Sequence, residues 1–145
     1  MPIYRVVIQR LLEFAYDPFS VMFKKKVPDF SKVKPISEWK DAYDMTRIEH
    51  AGRIVYFRNR FMQRKPVDPI VLASDIYGGD EMDDLFNEHG FRRPVVDDGL
   101  HRLAGAILAK KKRINAVVSD GLDEELDPAV IKYLIGGTMG SGSPS

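Results

Sequence analysis

The stretch Val95-Val-Asp-Asp-Gly-Leu-His-Arg-Leu-Ala104 concentrates the residue types that do chemistry. Its order reads as a short strand, a glycine turn and a helix that starts at once. His101 and Arg102 then fall in the first turn of that helix. A helix N-terminus favours negative charge, so an arginine there opposes the dipole. It makes sense if an anion is shared between the free backbone N–H groups and the guanidinium. Gly99 lets the backbone approach such an anion, and Arg102 can hold a phosphate through two parallel N–H···O bonds. His101 can donate to the phosphate or act as an acid or base near neutral pH. Asp98 can hold a magnesium ion beside the phosphates, since such sites use one or two carboxylates plus phosphate oxygens. The same residues also fit a purely structural role, with Asp98 as a helix cap and Arg102 paired to Asp97 or Asp98. Spacing alone does not choose between the two.

The elements that must position this turn follow from pattern. Ile3, Val7, Leu11 and Phe14 recur at helical spacing and predict a helix over 3–15, ended by Asp17-Pro18. Phe19 to Pro35 reads as an irregular arm. A short helix is expected from Ser37 to Tyr43, with Ile36, Trp39 and Tyr43 on one side. Thr46-Arg-Ile-Glu49 has capping-box spacing and opens a long helix closed by Pro66. Its expected core face holds Ile48, Ala51, Val55 and Met62, with Ile54, Phe57 and Phe61 widening it. His50 on that helix reads as unremarkable, with Glu49 and Arg53 as a surface pair. Pro69–Ala73, Pro94–Asp97 and Ile114–Val118 read as strands. Helices are expected over 80–89, with Met82, Leu85 and Phe86 packing and Gly90 as the stop, and from Leu100 to about Lys112. Asp127-Pro128 caps a last helix through Ile135. The aromatics Phe57, Phe61, Phe86 and Phe91 read as core.

Length and composition bound the rest. The chain has 145 residues, 44% hydrophobic and 30% charged, which excludes a disordered chain. One domain over 1–136 is expected: a mainly helical part (1–66), a motif-bearing α/β part (67–120) and a C-terminal helix (121–136). A flexible tail follows at 137–145. There is no cysteine, so thiol chemistry and disulfides are excluded and a reducing, cytoplasmic home is expected. No apolar stretch is long enough for membrane insertion. No two histidines are spaced as a zinc pair on one helix, and His89 reads as a helix-end residue.

Charge is balanced in total, at +1, but not in place. Residues 1–66 carry 14 Lys/Arg against 7 Asp/Glu, and residues 67–145 carry 8 against 14. Lys24, Lys25 and Lys26 form one basic run, and Lys110, Lys111, Lys112 and Arg113 another. Asp75, Asp80, Glu81, Asp83, Asp84 and Glu88 form an acidic group. Such runs are either solvated faces or steer a charged partner.

Residues 67–120 resemble the ParB/sulfiredoxin superfamily, including its ParB-like nuclease members. The resemblance rests on Asp68-Pro69-Ile70, on Asp98-Gly99-Leu100-His101-Arg102-Leu103, on Ala106, and on Ile114-Asn-Ala-Val-Val118. It implies an α+β fold of ParB/sulfiredoxin type: a small mixed sheet with helices, behind a helical N-terminal region. Members bind CTP, ATP or ADP at the corresponding turn, and some are reported as nucleases. The carry-over to Gly99, His101 and Arg102 is direct, with Leu100 between them. The segment Arg53–Phe57 also looks like the helix preceding the Pro-Ile strand in small bacterial members. Leu100 stands where sulfiredoxin has its catalytic cysteine, which excludes sulfinic-acid repair. Only one arginine follows the glycine, unlike ParB, and no helix-turn-helix follows, so centromere binding is not expected. Gly105 stands where many members have alanine. A short member of this kind is similar to the plasmid fertility-inhibition proteins of the oncogenic-suppression type.

Three functions follow as expectations. The first is magnesium-dependent hydrolysis of a nucleoside triphosphate, ATP or CTP, with Asp98 on the metal, Gly99 and the helix end on phosphate, His101 positioning and Arg102 neutralising charge. The second is a nuclease, with DNA along Lys24–Lys26 and Lys110–Arg113. The third is a non-enzymatic regulator that docks on a protein machine through its acidic group. The sequence sets no oligomeric state.

Overall fold

The computed structural model describes residues 2–38, 40–75, 91–121 and 124–138. The helix expected over 80–89, the acidic group at 80–88, His89, Phe86, Trp39 and the tail beyond 138 lie outside the described residues. The described chain is α+β, with a four-stranded mixed sheet and five α-helices. It divides into two compact units. One is Met1–Ala15, Pro69–Asp98 and Lys112–Ser145. The other is Tyr16–Asp68 and Gly99–Lys111.

The first unit holds the sheet. Its strands are β1 (Tyr4–Val7), β2 (Ile70–Ser74), β3 (Pro94–Asp98) and β4 (Arg113–Val118), in the order β1-β4-β2-β3. β1 runs antiparallel to β4, β4 parallel to β2, and β2 antiparallel to β3, with a register shift between Val71 and Leu72. Ile70 and Leu72 alternate with half-buried Val71, and Ile114 and Ala116 with half-buried Asn115, as strand periodicity requires. Beyond β2 the chain is clasped to β3: Asp75 N–H donates to the Arg93 carbonyl, and the two side chains form a half-buried ion pair at 2.8 Å.

The expected helix over 3–15 is corrected here. Residues Tyr4–Val7 are β1, and only Ile8–Leu12 is helical (α1). The β-branched Val6 and Val7 suit a strand, and pairing with Arg113–Ala116 outweighs the local helical pattern. The burial agrees: Ile3 is exposed, whereas Val6 and Ile8, which miss the helical face, are buried.

α5 (Pro128–Leu134) completes this unit and packs on α1. Asp127 accepts from Ala129 N–H, and Pro128 fills the first helical position. At its other end, Gly136 takes φ +116, and Gly137 N–H returns to the Lys132 carbonyl at 2.8 Å. Two arginines cover the last carbonyls, which a helix leaves unsatisfied. Arg10 donates to Tyr133 O at 2.8 Å and to Gly137 O, and its guanidinium lies 4.6 Å from the Tyr133 ring centre. Arg113 donates to Ile135 O at 3.1 Å. The Tyr133 hydroxyl donates to the Glu13 carboxylate, and this bond raises its pKa. Arg10→Met keeps the packing and removes the donors. It is expected to cost about 1–2 kcal/mol in urea unfolding, with no change in the slope against urea.

The second unit is helical. α2 (Pro18–Phe23), α3 (Arg47–Met62) and α4 (Leu100–Leu108) surround Phe23, Ala51, Ile54 and Ala104. Asp17-Pro18 therefore starts a helix: Asp17 accepts from Phe19 N–H and Pro18 takes the first position. Phe23 ends up fully buried, and Phe30 packs edge-on against it at 5.9 Å. Of the helix expected over Ser37–Tyr43, the described residues form only a 3₁₀ turn at Ala42–Asp44, capped by Asp41. Tyr43 is almost fully exposed and so adds nothing to the apolar face expected there. Of the aromatics expected in the core, Phe57, Phe61 and Phe91 are half-buried; among the described aromatics Phe14 and Phe23 are buried.

Candidate anion-binding site

α3 begins as its sequence predicts. Thr46 Oγ1 accepts from Glu49 N–H at 3.2 Å, and the Glu49 carboxylate reaches back to Thr46 N–H. Glu49 also pairs with Lys40 at 2.9 Å, so the expected Glu49–Arg53 pair is replaced by Glu49–Lys40. The centre of the expected face is buried, and its two ends are not. Ile48 and Met62 are 78% and 64% exposed, and the buried residues are Ala51, Gly52, Ile54 and Val55.

The small residues mark where α4 comes closest. A Cβ at Gly105 would lie 2.7 Å from Phe57 Cβ and 2.8 Å from Arg58 N. Glycine at 105 is therefore a packing requirement of this helix pair. At its N-terminal end α4 again meets α3, through His101 and His50. The contacts advance in the same sense along both helices, so the two N-termini point the same way.

α4 starts from Gly99, which sits at φ +108, a conformation that disfavours every residue with a Cβ. The cap position thus falls to a residue without a side chain, and not to Asp98, which ends β3 as an exposed carboxylate. Leu100, His101 and Arg102 are the first three helical residues, as expected. Arg102 donates to the Asp68 carbonyl at 3.3 Å.

His50 Nδ1 and His101 Nε2 are 2.8 Å apart, with their rings stacked at 5.1 Å and 18°. One ring must donate and the other accept, so the pair carries at most one extra proton while the bond lasts. The Phe23 ring packs edge-on against His50. Arg53, one turn along α3, lies over Phe57 and donates to the Ser37 carbonyl. Burial lowers the Arg53 pKa; Tyr56 opposes this, and the Arg102 charge adds to the lowering. His50, His101 and Arg102 thus meet at the positive end of α4, and Arg53 lies close enough to Arg102 for their charges to interact, a place that suits an anion.

Comparison with protein-family models, with curated proteins and with solved structures finds no match.

Reasoning from sequence placed Gly99, Leu100, His101 and Arg102 at this helix start and missed His50 and Arg53. The available signal was small-residue spacing. Ala51-Gly52 directly follows His50, and Ala104-Gly105-Ala106 follows His101, which marks the faces that can approach closely. The basic runs are differently used. Lys24, Lys25, Lys26, Lys110, Lys111, Lys112 and Arg113 are exposed, and Arg113 also donates to the carbonyls of Ile135 and Arg5. Lys110–Lys112 lie beyond α4, not within it. Lys110 takes φ +58, and Lys111 N–H closes the turn on Ala106 O at 3.0 Å. Among the described residues no three His, Asp or Glu side chains converge as a metal site, and no helix is long and apolar enough to cross a membrane.

Burial holds the His50 pKa below the usual histidine value, against a smaller raising pull from Glu49. The unfolded chain therefore takes up a proton first as pH falls through about 6.5. The stability carried by neutral His50 is present above that pH and is lost below it, down to the lowered folded value. A bound anion reverses the preference and favours the protonated ring. Sulfate does not itself titrate in this range, and its affinity is expected to rise as pH falls from about 8 to 6. His50→Ala is expected to flatten that rise in a calorimetric titration.

Proposed function

We propose that this chain is a nucleotide-binding protein of ParB/sulfiredoxin type, in which the α4 N-terminus, with His50, His101, Arg53 and Arg102, holds the phosphates. The observation that carries the reading is the 2.8 Å His50–His101 pair, which brings a second ring from α3 to the first turn of α4, where Arg102 follows His101. The Arg102 charge disfavours that of Arg53, a cation in a first helical turn opposes the dipole, and a polyphosphate offsets both. The mixed sheet and the β3-Gly99-α4 connection are compatible with that superfamily.

The proposed activity is magnesium-dependent hydrolysis of ATP or CTP. Asp98 suits magnesium, since a single carboxylate plus phosphate oxygens is the ion's habit. Bound there, magnesium supplies charge neutralisation to the phosphates. The chain's own residues do the remaining work. Gly99 leaves backbone N–H groups open to phosphate, Arg102 and Arg53 take up developing negative charge, and the histidine pair holds a proton within reach.

Calorimetric titration with ATP, ADP and CTP in magnesium tests this, followed by phosphate release. Saturable 1:1 binding with turnover supports the whole proposal, and binding without turnover reduces it to a nucleotide sensor. No binding of any of the three overturns it. Double-stranded DNA is the second anion this chain fits, through the exposed lysines at 24–26 and 110–112. That reading predicts DNA affinity falling steeply with salt and divalent-metal-dependent cleavage.

A further inference from the structure

A cavity of about 800 Å³ opens in the helical unit, beside the N-terminal turn of α3. That volume lies within the ~300–1,000 Å³ typical of small-molecule sites. Its walls are apolar: Phe23, Pro28, Val33, Ile36, Ile48 and Ala51. Four cations share the lining, Lys26, Lys32, Lys34 and Arg47. Among the described residues, none that lines it has an acidic or a neutral hydrogen-bonding side chain.

The wall is seated on α3 itself. Ile36 N–H donates to the Gly52 carbonyl at 2.9 Å, and a Cβ at Gly52 would stand 2.5 Å from Ile36 Cγ1 and 2.9 Å from Lys34 O. Glycine at 52 thus lets segment 34–36 lie directly on the helix and hold the cavity's shape. Ile48, 78% exposed, faces water at a cost that a hydrophobic ligand removes.

The lining selects among ligands. A nucleobase needs acceptors for its amino edge and a peptide needs acceptors for its N–H groups, and the side chains that line this cavity supply only donors. An alkyl chain needs neither, and the four cations require a negative head. We infer that this cavity binds a single-chain alkyl anion of the fatty-carboxylate class, with its chain on the apolar wall and its carboxylate among the lysines and Arg47. The inference is independent of nucleotide binding at α4.

The test is calorimetric titration of the full chain with sodium dodecanoate below its micelle concentration, without nucleotide. One site per chain is expected. Dodecanol, which lacks the charge, is expected to bind at least roughly tenfold more weakly, and so is dodecanoate to Ile48→Glu or to Lys32→Glu/Lys34→Glu. These positions are exposed or half-buried, and thermal melting checks that each variant folds. Absence of dodecanoate binding overturns the inference. So does equal affinity for dodecanol, binding unchanged in both variants, or binding confined to anionic vesicles.

Discussion

Arg102→Ala is expected to weaken ATP binding by roughly 30-fold or more. A hydrogen bond to a charged group contributes about 1.5–3 kcal/mol, and a bidentate guanidinium–phosphate pair makes two. The loss should appear in affinity and not in folding. Thermal melting of the variant separates the two; Arg102 donates to the Asp68 carbonyl at 3.3 Å, near the long end of the range. Arg102→Lys should recover only part of the affinity, because an ammonium is a point charge without the planar fork. Titrations of the three proteins at one salt concentration read this directly. Equal affinity in Arg102→Ala and the parent would remove phosphate binding from this turn.

Gly105→Val is expected to cost about 3 kcal/mol, with Gly105→Ala intermediate. Alanine favours a helix over glycine by only about 1 kcal/mol. Against that gain, the new Cβ meets Phe57 Cβ at 2.7 Å and the backbone of Arg58 at 2.8 Å. Backbone cannot turn aside as a flexible side chain can, so the helices must separate, and overpacking of this kind costs about 1–3 kcal/mol or more. For a chain of this length the valine variant should melt about 10 °C lower. Nucleotide affinity should fall with it, because a wider α3–α4 spacing pulls His50 from His101. A Gly105→Ala protein that melts higher than the parent would contradict the close approach.

Legibility in the sequence followed the physics of each signal. The Thr46–Glu49 capping box was readable because both partners lie within four residues. Helix ends were less so. α3 and α4 close on Arg64 and Lys110 at φ +56 and +58, where glycine would have been the visible sign. Asp17-Pro18 and Asp127-Pro128 are the same dipeptide in the same role, yet the first reads as a stop because an apolar run precedes it. β1 was hidden because its partner lies more than a hundred residues away. The same reason hid half of the site. Gly99 to Arg102 form a local motif, whereas His50 acquires meaning only when α3 packs on α4.

The most direct test of the central claim is the titration of the histidine imidazoles by NMR, with and without ATP and magnesium. The chain has three histidines, so the signals are separable by substitution. Phosphate held at the α4 N-terminus predicts that the His50 and His101 signals both move on adding ATP, and that the midpoint of His50 rises. Nucleotide binding that leaves both rings unmoved, or no binding at all, would contradict the account.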